Sequence, residues 1–347
     1  MKMNVNLLRA KLAMAGVCAG LTALLAGCGK APDAQPAEMK MPEKSAIRKK
    51  IILGLVAKSQ SNPVFQTAYT GAKDAARELG PKYNVEIEIR WATPPDEDAA
   101  RQADMVRELA VSRADGIMVS CSDANVLGPA INEAVERGTH VMCFDSDAPQ
   151  SKRFAFYGTD DVTCGQMLAE EMARLMNKKG VVAILSGNQT APNLQKRVDG
   201  VRGKMADFGD MKLLEPEGVF YCDETPEAAS EKVNRIQTTR PGIQGWIMVG
   251  GWPLFTKNAL KWDPGSVKLV SVDALPAELS YVKTGHVQAL FAQDCYGWGY
   301  RSTQILLEKI LNNTAPAEVR VIDPLARVTI ENADEWSRNW TKWLGAK

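Results

Sequence analysis

Apolar runs typical of β-strands alternate with amphipathic helical patterns along the chain from residue 51 onward. Several of these runs are almost continuously apolar, which is expected of parallel strands that are covered on both faces. Nine strands are predicted, over residues 51–57, 85–92, 116–120, 140–144, 181–185, 219–222, 245–249, 268–272 and 287–292. The pattern therefore favours parallel sheets that are covered by helices.

The segments between the strands carry the spacing of amphipathic helices. In the first of them, Phe65, Ala72 and Leu79 lie on one stripe, with Pro63 near the start and Gly80 just past the end. Helices are predicted over residues 63–79, 96–112, 127–137, 161–176, 195–208, 228–239, 276–283 and 296–311. This alternation predicts doubly wound α/β sheets, and 347 residues suit two smaller sheets better than one large sheet.

Composition and charge remove several classes of function. The 42 basic and 41 acidic residues give a formal charge of +1, which leaves no electrostatic footprint for nucleic acid or anionic lipid. With only two histidines, the chain cannot build a multi-histidine metal site. It also lacks GxGxxG after a strand, the P-loop GxxxxGK(S/T) and GxSxG. We therefore expect a protein that is not an enzyme and that uses no cofactor or metal.

The N-terminus has the composition of a targeting segment. Basic residues end at Lys11, and an uncharged stretch of apolar and small residues follows. Residues 1–27 are predicted to be a secretory signal peptide. The stretch ends in Leu25-Ala26-Gly27-Cys28, which resembles a bacterial lipobox, so Cys28 is predicted to carry the lipid. A plain signal peptide or a short anchor helix is the alternative. Residues 28–47 are rich in charges and proline and read as a tether.

Five cysteines remain once the signal peptide and the lipidated residue are set aside. They are Cys121, Cys143, Cys164, Cys222 and Cys295. No CxxC spacing occurs, which argues against zinc, and several lie in apolar runs, which indicates buried thiols. One disulfide stays open as an alternative, because secretion exposes the chain to an oxidising compartment.

Acids and amides follow several predicted strands. Asp145 and Asp273 each directly end an apolar strand, and ligands bind at the carboxyl ends of strands in such folds. A carboxylate accepts hydrogen bonds from two adjacent hydroxyls, and these bonds are stronger than neutral ones. We therefore interpret these two acids as ligands of a neutral polyol, whereas Asp123 and Asp223 are interpreted as caps of the next helix or turn.

The order of several short motifs resembles one family. Residues 62–65 read NPVF after the first strand, and then come GIMVS, GTHVMCFDSD, YGTDD, ILSGNQTAPNLQKRVDG, LVSVDA and GHVQALFAQD. Together they make residues 50–323 resemble the ribose/galactose-type periplasmic sugar-binding proteins of ABC transporters, which share their fold with LacI-type regulators. The resemblance implies two doubly wound parallel-sheet lobes, joined by a three-stranded hinge, with the ligand in the cleft between them.

The resemblance also implies lobe boundaries and site residues. The N-terminal lobe is expected over residues 48–158 plus 294–323, and the C-terminal lobe over 159–293 plus 324–347. The family binding positions correspond to Asn62, Phe65, Asp145, Asp273 and Gln293. The chain departs from a ribose site at Lys58, Ser146, Gln195 and Gly250-Gly251-Trp252, while Arg197 is interpreted as structural. Lys58, Asp147, Asn193, Trp252 and Trp298 are the further candidates for ligand contact.

These features together predict an extracytoplasmic solute-binding lipoprotein, in the periplasm or at the cell surface. It is expected to be a monomer that captures a sugar or sugar-like polyol and delivers it to the permease subunits of an ABC importer. The alternatives are a ligand-sensing subunit for a chemoreceptor or histidine kinase, and a secreted α/β enzyme. A cytoplasmic repressor is disfavoured, because a signal peptide stands where such a protein needs its helix-turn-helix.

Overall fold

The computed structural model describes residues 49–344. The predicted signal peptide, the lipobox cysteine Cys28 and the whole predicted tether lie outside these residues. Thirteen strands and nine α-helices alternate over the described part of the chain. The strands form two separate sheets, as the strand–helix alternation predicts.

The first sheet has six strands in the order β12-β5-β4-β3-β1-β2, and every neighbouring pair is parallel. Its strands are β1 (Lys49–Val56), β2 (Val85–Trp91), β3 (Gly116–Val119), β4 (His140–Phe144), β5 (Ala155–Gly158) and β12 (Arg320–Ile322). The helices that pack on it are α1 (Pro63–Tyr83), α2 (Ala99–Val111), α3 (Ala124–Glu136) and α8 (Cys295–Asn312). We call this unit the N-terminal lobe.

The second sheet has the order β13-β11-β10-β9-β6-β7, with β8 also paired to β6. All pairs are parallel except that of β13 with β11. Its strands are β6 (Lys179–Ser186), β7 (Asp210–Leu213), β8 (Val219–Tyr221), β9 (Gly245–Met248), β10 (Lys268–Val272), β11 (Ala289–Ala292) and β13 (Ala326–Val328). Its helices are α4 (Asp161–Leu175), α5 (Pro192–Met205), α6 (Pro226–Thr239), α7 (Pro276–Thr284) and α9 (Ala333–Leu344). We call this unit the C-terminal lobe.

The chain passes between the two sheets three times. The passages follow β5, β11 and β12, and they are tied to one another by hydrogen bonds. The Tyr157 hydroxyl donates to Asp294 Oδ2 at 2.8 Å, and the Asp323 backbone N–H donates to the Gly158 carbonyl at 2.9 Å. Each passage is therefore bonded to another at the point where it leaves its sheet.

Helices α4 and α5 of the C-terminal lobe approach each other at two glycines. A Cβ atom on Gly165 would stand 2.0 Å from the Arg197 carbonyl oxygen, and one on Gly200 would stand 2.2 Å from the Val162 carbonyl oxygen. Neither position leaves room for a larger residue without moving backbone. The contact fixes where α5, and with it Arg197, stands relative to α4.

Helix α9 of the C-terminal lobe is bonded to the turn that follows β10. The indole N–H groups of Trp336 and Trp340 both donate to the Ala274 carbonyl oxygen, at 3.0 and 2.6 Å. Ala274 directly follows Asp273. The ring of Trp343 stacks on Tyr296 of α8, with centroids 6.1 Å apart, so α9 contacts both lobes.

The described cysteines settle one open question. Cys121, Cys143, Cys164, Cys222 and Cys295 are all free thiols, and four of them are buried. Burial raises the pKa of Cys164 to about 12, so this thiol stays protonated and unreactive. The interpretation of these residues as buried thiols is confirmed, and the alternative of a disulfide among them is not.

Candidate ligand-binding cleft

The two acids predicted to bind ligand occupy equivalent places in the two lobes. Asp145 follows β4 and Asp273 follows β10, and both have a left-handed backbone, with φ of 53° and 75°. The Asp145 N–H donates to the Tyr157 carbonyl at 3.1 Å, and the Asp273 N–H donates to the Phe291 carbonyl at 2.9 Å. Aspartate is among the few residues that adopt this backbone readily. The turn directs each carboxylate out of its sheet at the carboxyl edge of the strands.

A chain of hydrogen bonds joins Asp145 to the opposite lobe. Ser120 Oγ donates to Asp145 Oδ2 at 2.6 Å, and Asn193 Nδ2 donates to Asp145 Oδ1 at 3.1 Å. Asn193 Oδ1 in turn accepts from Lys58 Nζ at 3.1 Å. Asn193 stands on α5 of the C-terminal lobe, whereas Lys58 and Asp145 belong to the N-terminal lobe. The lobes are therefore closed on one another through these buried side chains.

A second set of hydrogen bonds surrounds Asp273. Gln293 Nε2 donates to Asp273 Oδ1 at 2.8 Å, and Gln293 Oε1 accepts from Arg197 Nη2 at 2.7 Å. Arg197 also donates to Asp161 Oδ1 at 2.9 Å and to the Val249 carbonyl at 3.0 Å. Its Nη2 atom lies 4.0 Å from Asp145 Oδ1, which connects the two sets. Arg197 is thus a central residue of the cleft.

Burial and charge act against each other in this cleft. Burial raises the pKa of Asp273 above its usual range, although Gln293 and Arg197 favour the carboxylate. Burial also disfavours the ammonium of Lys58, but Glu224 and other nearby carboxylates hold the pKa of Lys58 above its ordinary value. Lys58 therefore stays charged although its side chain is buried.

The aromatic candidates form walls behind the polar groups. The Phe65 ring lies 6.1 Å from Trp298 and 6.5 Å from Phe144, and Trp298 lies 6.2 Å from Phe144. Trp298 is 2% exposed, so it belongs to the packed core of the N-terminal lobe. Trp252 is also buried, and its ring lies under Gly250, where a Cβ would stand 2.4 Å from a ring carbon.

Two other candidates are occupied by local interactions. Asn62 Oδ1 caps α1 by accepting from the Val64 N–H at 3.1 Å, which leaves the amide donors of Asn62 free. Asp147 forms a buried ion pair with Arg153, in which Nη2 donates to Oδ2 at 2.7 Å and Nε donates to Oδ1. The structure brings Asp147 into this pair and not into the networks that cross the cleft.

The cap interpretations had different outcomes. Asp123 caps α3, since its carboxylate accepts from the Asn125 N–H at 2.8 Å, and that prediction is confirmed. The prediction that Asp223 caps the next helix is wrong, because Thr225 caps α6 with its hydroxyl. Thr225 stands directly before Pro226, the first residue of that helix.

The sequence interpretation missed some residues of the cleft. Arg197 was interpreted as structural, yet it lies one helical turn after Asn193, and the i, i+4 spacing places both on one face of α5. Ser120 follows β3 at the same sheet edge as Asp145. Both signals were available in the sequence.

The described residues show no metal site and no membrane span. Within residues 49–344, no three His, Cys, Asp or Glu side chains are grouped so as to hold an ion. Every helix in that same range is too short or too polar to cross a bilayer.

Two lobes with an enclosed set of acids, amides and cations are the arrangement of a binding protein. The family model described as a periplasmic binding protein domain matches residues 53–314.

The chain belongs to this family of periplasmic binding proteins. Its members bind substrates and are not enzymes, which confirms that prediction for this family member. The match also confirms the resemblance noted in the sequence and the fold class of two parallel-sheet lobes.

Several known periplasmic binding proteins are similar to the chain. A D-ribose/D-allose-binding protein from Pseudomonas aeruginosa is 24% identical over 273 residues, which are 77% of this chain and 82% of that protein. A ribose import binding protein from Bacillus subtilis is 25% identical over 179 residues, 52% of this chain and 55% of its own length. The crystal structure of a solute-binding protein from Burkholderia graminis in complex with D-arabinose is 25% identical, has a TM-score of 0.73, and covers 82% of this chain and 96% of its own.

Proposed function

We propose that this protein captures a sugar or sugar-like polyol between its lobes and delivers it to an ABC importer. The observation that carries the proposal is a pair of aspartates with left-handed backbone conformation, Asp145 and Asp273. One buried hydrogen-bond network connects them. Ring or chain hydroxyls donate well to carboxylates and accept from Lys58, Asn193 and Arg197. The names of the similar proteins, which include binders of ribose, allose and arabinose, support the same ligand class.

The mechanism that we propose is lobe closure around the ligand. The moving bodies are residues 48–158 plus 294–323 and residues 159–293 plus 324–347, with the hinge at the three passages. The Lys58–Asn193 and Asn193–Asp145 hydrogen bonds form only when the lobes meet. A ligand that bridges the same groups binds the closed form better and so shifts the population toward it. The permease then recognises the closed form.

A thermal-shift screen against monosaccharides and polyols tests this function. A ligand at 100 times its dissociation constant stabilises the folded protein by about 2.7 kcal/mol, which raises the melting temperature by several degrees. The bound compound, recovered from the complex, is expected to be chemically unchanged. A screen without any stabilising sugar or polyol would contradict the proposal.

We further propose that the mature protein is a monomer held outside the cytoplasm by lipid on Cys28. The support is the sequence of residues 1–28, in which an apolar stretch ends in a lipobox-like segment. Diacyl and amide-linked chains together give stable anchoring, and residues 28–47 let the folded body stand off the membrane.

The anchor is tested by Cys28→Ser in the full-length chain. The variant is expected to move from the detergent phase to the aqueous phase, with the melting temperature unchanged because Cys28 lies outside both lobes. Cys18→Ser, which lies within the predicted signal peptide, is the matched control and is expected to partition as the unchanged protein does. Persistent partitioning of Cys28→Ser into detergent would identify residues 12–27 as an anchor helix.

A further inference from the structure

A cavity lies between the two lobes, near the hydrogen bonds that join Lys58, Asn193 and Asp145. Its volume is about 420 Å³, and residues of both lobes line it. The polar groups that matter here are Ser59, Asp96 and Glu97 from the N-terminal lobe and Asn188, Asp223 and Glu224 from the C-terminal lobe. Asn188 closes the contact, because its Nδ2 donates to Glu97 Oε1 at 3.1 Å and its backbone N–H donates to Glu224 Oε1 at 3.1 Å.

The cavity has a strong excess of negative charge. Its lining within residues 49–344 includes four carboxylates and no lysine or arginine. Lys58 is the nearby cation that favours ionisation of Glu224. Burial nevertheless raises the pKa of Glu224 to about 7, and the charge of Glu97 adds to this shift. A cation placed in the cavity would relieve this repulsion.

The shape of the cavity favours an organic cation over a metal ion. The described His, Cys, Asp and Glu residues do not converge in threes on any point, whereas a bound metal ion needs several ligands around it. The cavity volume instead falls within the range of small-molecule sites. Ser59 is 8% exposed and lines the cavity, and no partner for its hydroxyl is found in the described chain, so a buried polar group is available to a ligand.

Lys58 connects this cavity to the hydrogen bonds that join Lys58, Asn193 and Asp145, which we call the central network. Its Nζ bonds Asn193, which bonds Asp145, while the charges of both Glu224 and Asp145 act on its ammonium. Lys58 therefore lies between Asp145 of the central network and Glu224 of the cavity. We propose that the cavity is an outer subsite for an organic ammonium group, so that the natural ligand is an amino sugar or amino polyol. This inference rests on the proposed function, since the hydroxyl part of the ligand occupies the central network.

Two sets of compounds of similar size and different charge test the inference. The acyclic set is N-methyl-D-glucamine, D-glucitol and D-gluconate, and the cyclic set is D-galactosamine, D-galactose and D-galacturonate. Calorimetry at pH 7 and low salt, where both amines are mainly protonated, is expected to show that the cation of at least one set binds about 10-fold more tightly than its neutral partner, the effect of one charge-assisted hydrogen bond. The anion is expected to bind most weakly.

The ratio of the affinity for the cation to the affinity for the neutral compound shows whether the charge of Glu224 causes the preference. Glu224→Gln keeps the shape of the side chain and removes its charge, so the ratio is expected to fall to about 3 or less. Glu227→Gln, an exposed acid in the first turn of α6, is the matched control and is expected to keep the ratio. For N-methyl-D-glucamine and D-glucitol, whose charges stay constant in this range, the ratio in the unchanged protein is expected to grow from pH 6 to pH 8, because Glu224 ionises as the pH rises through its raised pKa. Glu224→Gln is expected to lose this pH dependence.

Failure of this inference is distinguishable from failure of the proposed function. Equal binding of cation and neutral compound, or a preference that survives Glu224→Gln, overturns the outer subsite. The subsite is also overturned if neither set binds while another neutral sugar from the thermal-shift screen does, and the proposed function then stands. If no sugar or polyol of any charge binds, both fall.

Discussion

The two lobes build their halves of the cleft with the same backbone device but give the two acids different surroundings. In each lobe an aspartate leaves the end of a strand with a left-handed backbone and bonds the carbonyl of the neighbouring strand. Asp273 then bonds Gln293, which stands just beyond the next strand of its own sheet. Asp145 bonds Asn193 from the opposite lobe. The difference teaches that equivalent positions need not have equivalent partners: Asp273 is bonded within its own lobe, whereas Asp145 is bonded across to the other lobe.

The largest effect, on the free energy of unfolding, is expected at Arg197. This residue lies beside both the Asp145 and the Asp273 hydrogen-bond sets. Arg197→Met leaves Asp161 buried without its ion partner and removes the donor to Gln293. Breaking a buried pair in this way costs about 3–5 kcal/mol, so the free energy of unfolding in urea is expected to fall by about that amount. Arg202→Met, at an exposed position of the same helix, is the control and should change stability by less than about 0.5 kcal/mol. A similarly small loss for Arg197→Met would show that the two halves stand without it.

The acids themselves are expected to give the next largest effect, on affinity. Asp145→Asn and Asp273→Asn keep the size of each side chain but remove its charge, and a hydrogen bond to a charged group is worth about 1.5–3 kcal/mol. Calorimetry is expected to show binding weakened by about 10- to 150-fold in each variant. Asp123→Asn, which alters only the cap of α3, is expected to leave affinity unchanged. If the two cleft variants bind normally and melt far lower, these acids are structural.

The smallest effect isolates the part of the comparison that concerns closure. Asn193→Ala removes both hydrogen bonds between Lys58, Asn193 and Asp145, and it leaves the Asp273–Gln293 bond in place. Because both bonds also join the lobes without ligand, we expect affinity to lose only the net value of about one hydrogen bond, about 0.5–1.5 kcal/mol, which weakens binding by about 3- to 10-fold. Small-angle scattering is expected to show a larger radius of gyration for the unliganded variant.

Asp199→Ala, at an exposed position of α5, is the control for Asn193→Ala and is expected to scatter and bind as the unchanged protein does. An unliganded radius of Asn193→Ala equal to that of the unchanged protein would show that the lobes close without this bridge. Asp145 and Asp273 would then be equivalent in role as well as in backbone.

The sequence predicts the regular parts of the fold because long apolar runs and helical spacing are strong signals. All nine predicted strands and eight predicted helices have counterparts, most of them with shifted ends. The missed strands β5, β7, β12 and β13 have three or four residues each, and β7, β12 and β13 contain charged residues that interrupt the apolar run. Helix α9 was missed because its apolar face consists of tryptophans that are separated by charges and polar residues.

Site residues could be predicted where a polar side chain directly follows a strand. They could not be predicted where the role of a side chain depends on which other residue it contacts. Asp145 and Asp273 are visible as acids that end apolar strands, and the structure places both in the cleft. The pairing of Asp147 with Arg153 arises from a loop whose path no periodicity encodes. Trp298 reads equally well as a ligand wall or as core, and only its packing on Phe144 shows the core contact.

The double hydrogen bond of α9 to Ala274 has a practical consequence for anyone who modifies this chain. Trp336 and Trp340 attach the last helix to the carbonyl directly after Asp273, and Trp343 stacks on Tyr296 of the other lobe. A dye or fluorescent domain placed at the end of α9 is therefore connected to the turn that holds Asp273, so we expect its signal to change when that turn moves. For the same reason, a truncation before Ala333 exposes a buried carbonyl beside the cleft, so an affinity tag belongs at the other end of the folded body.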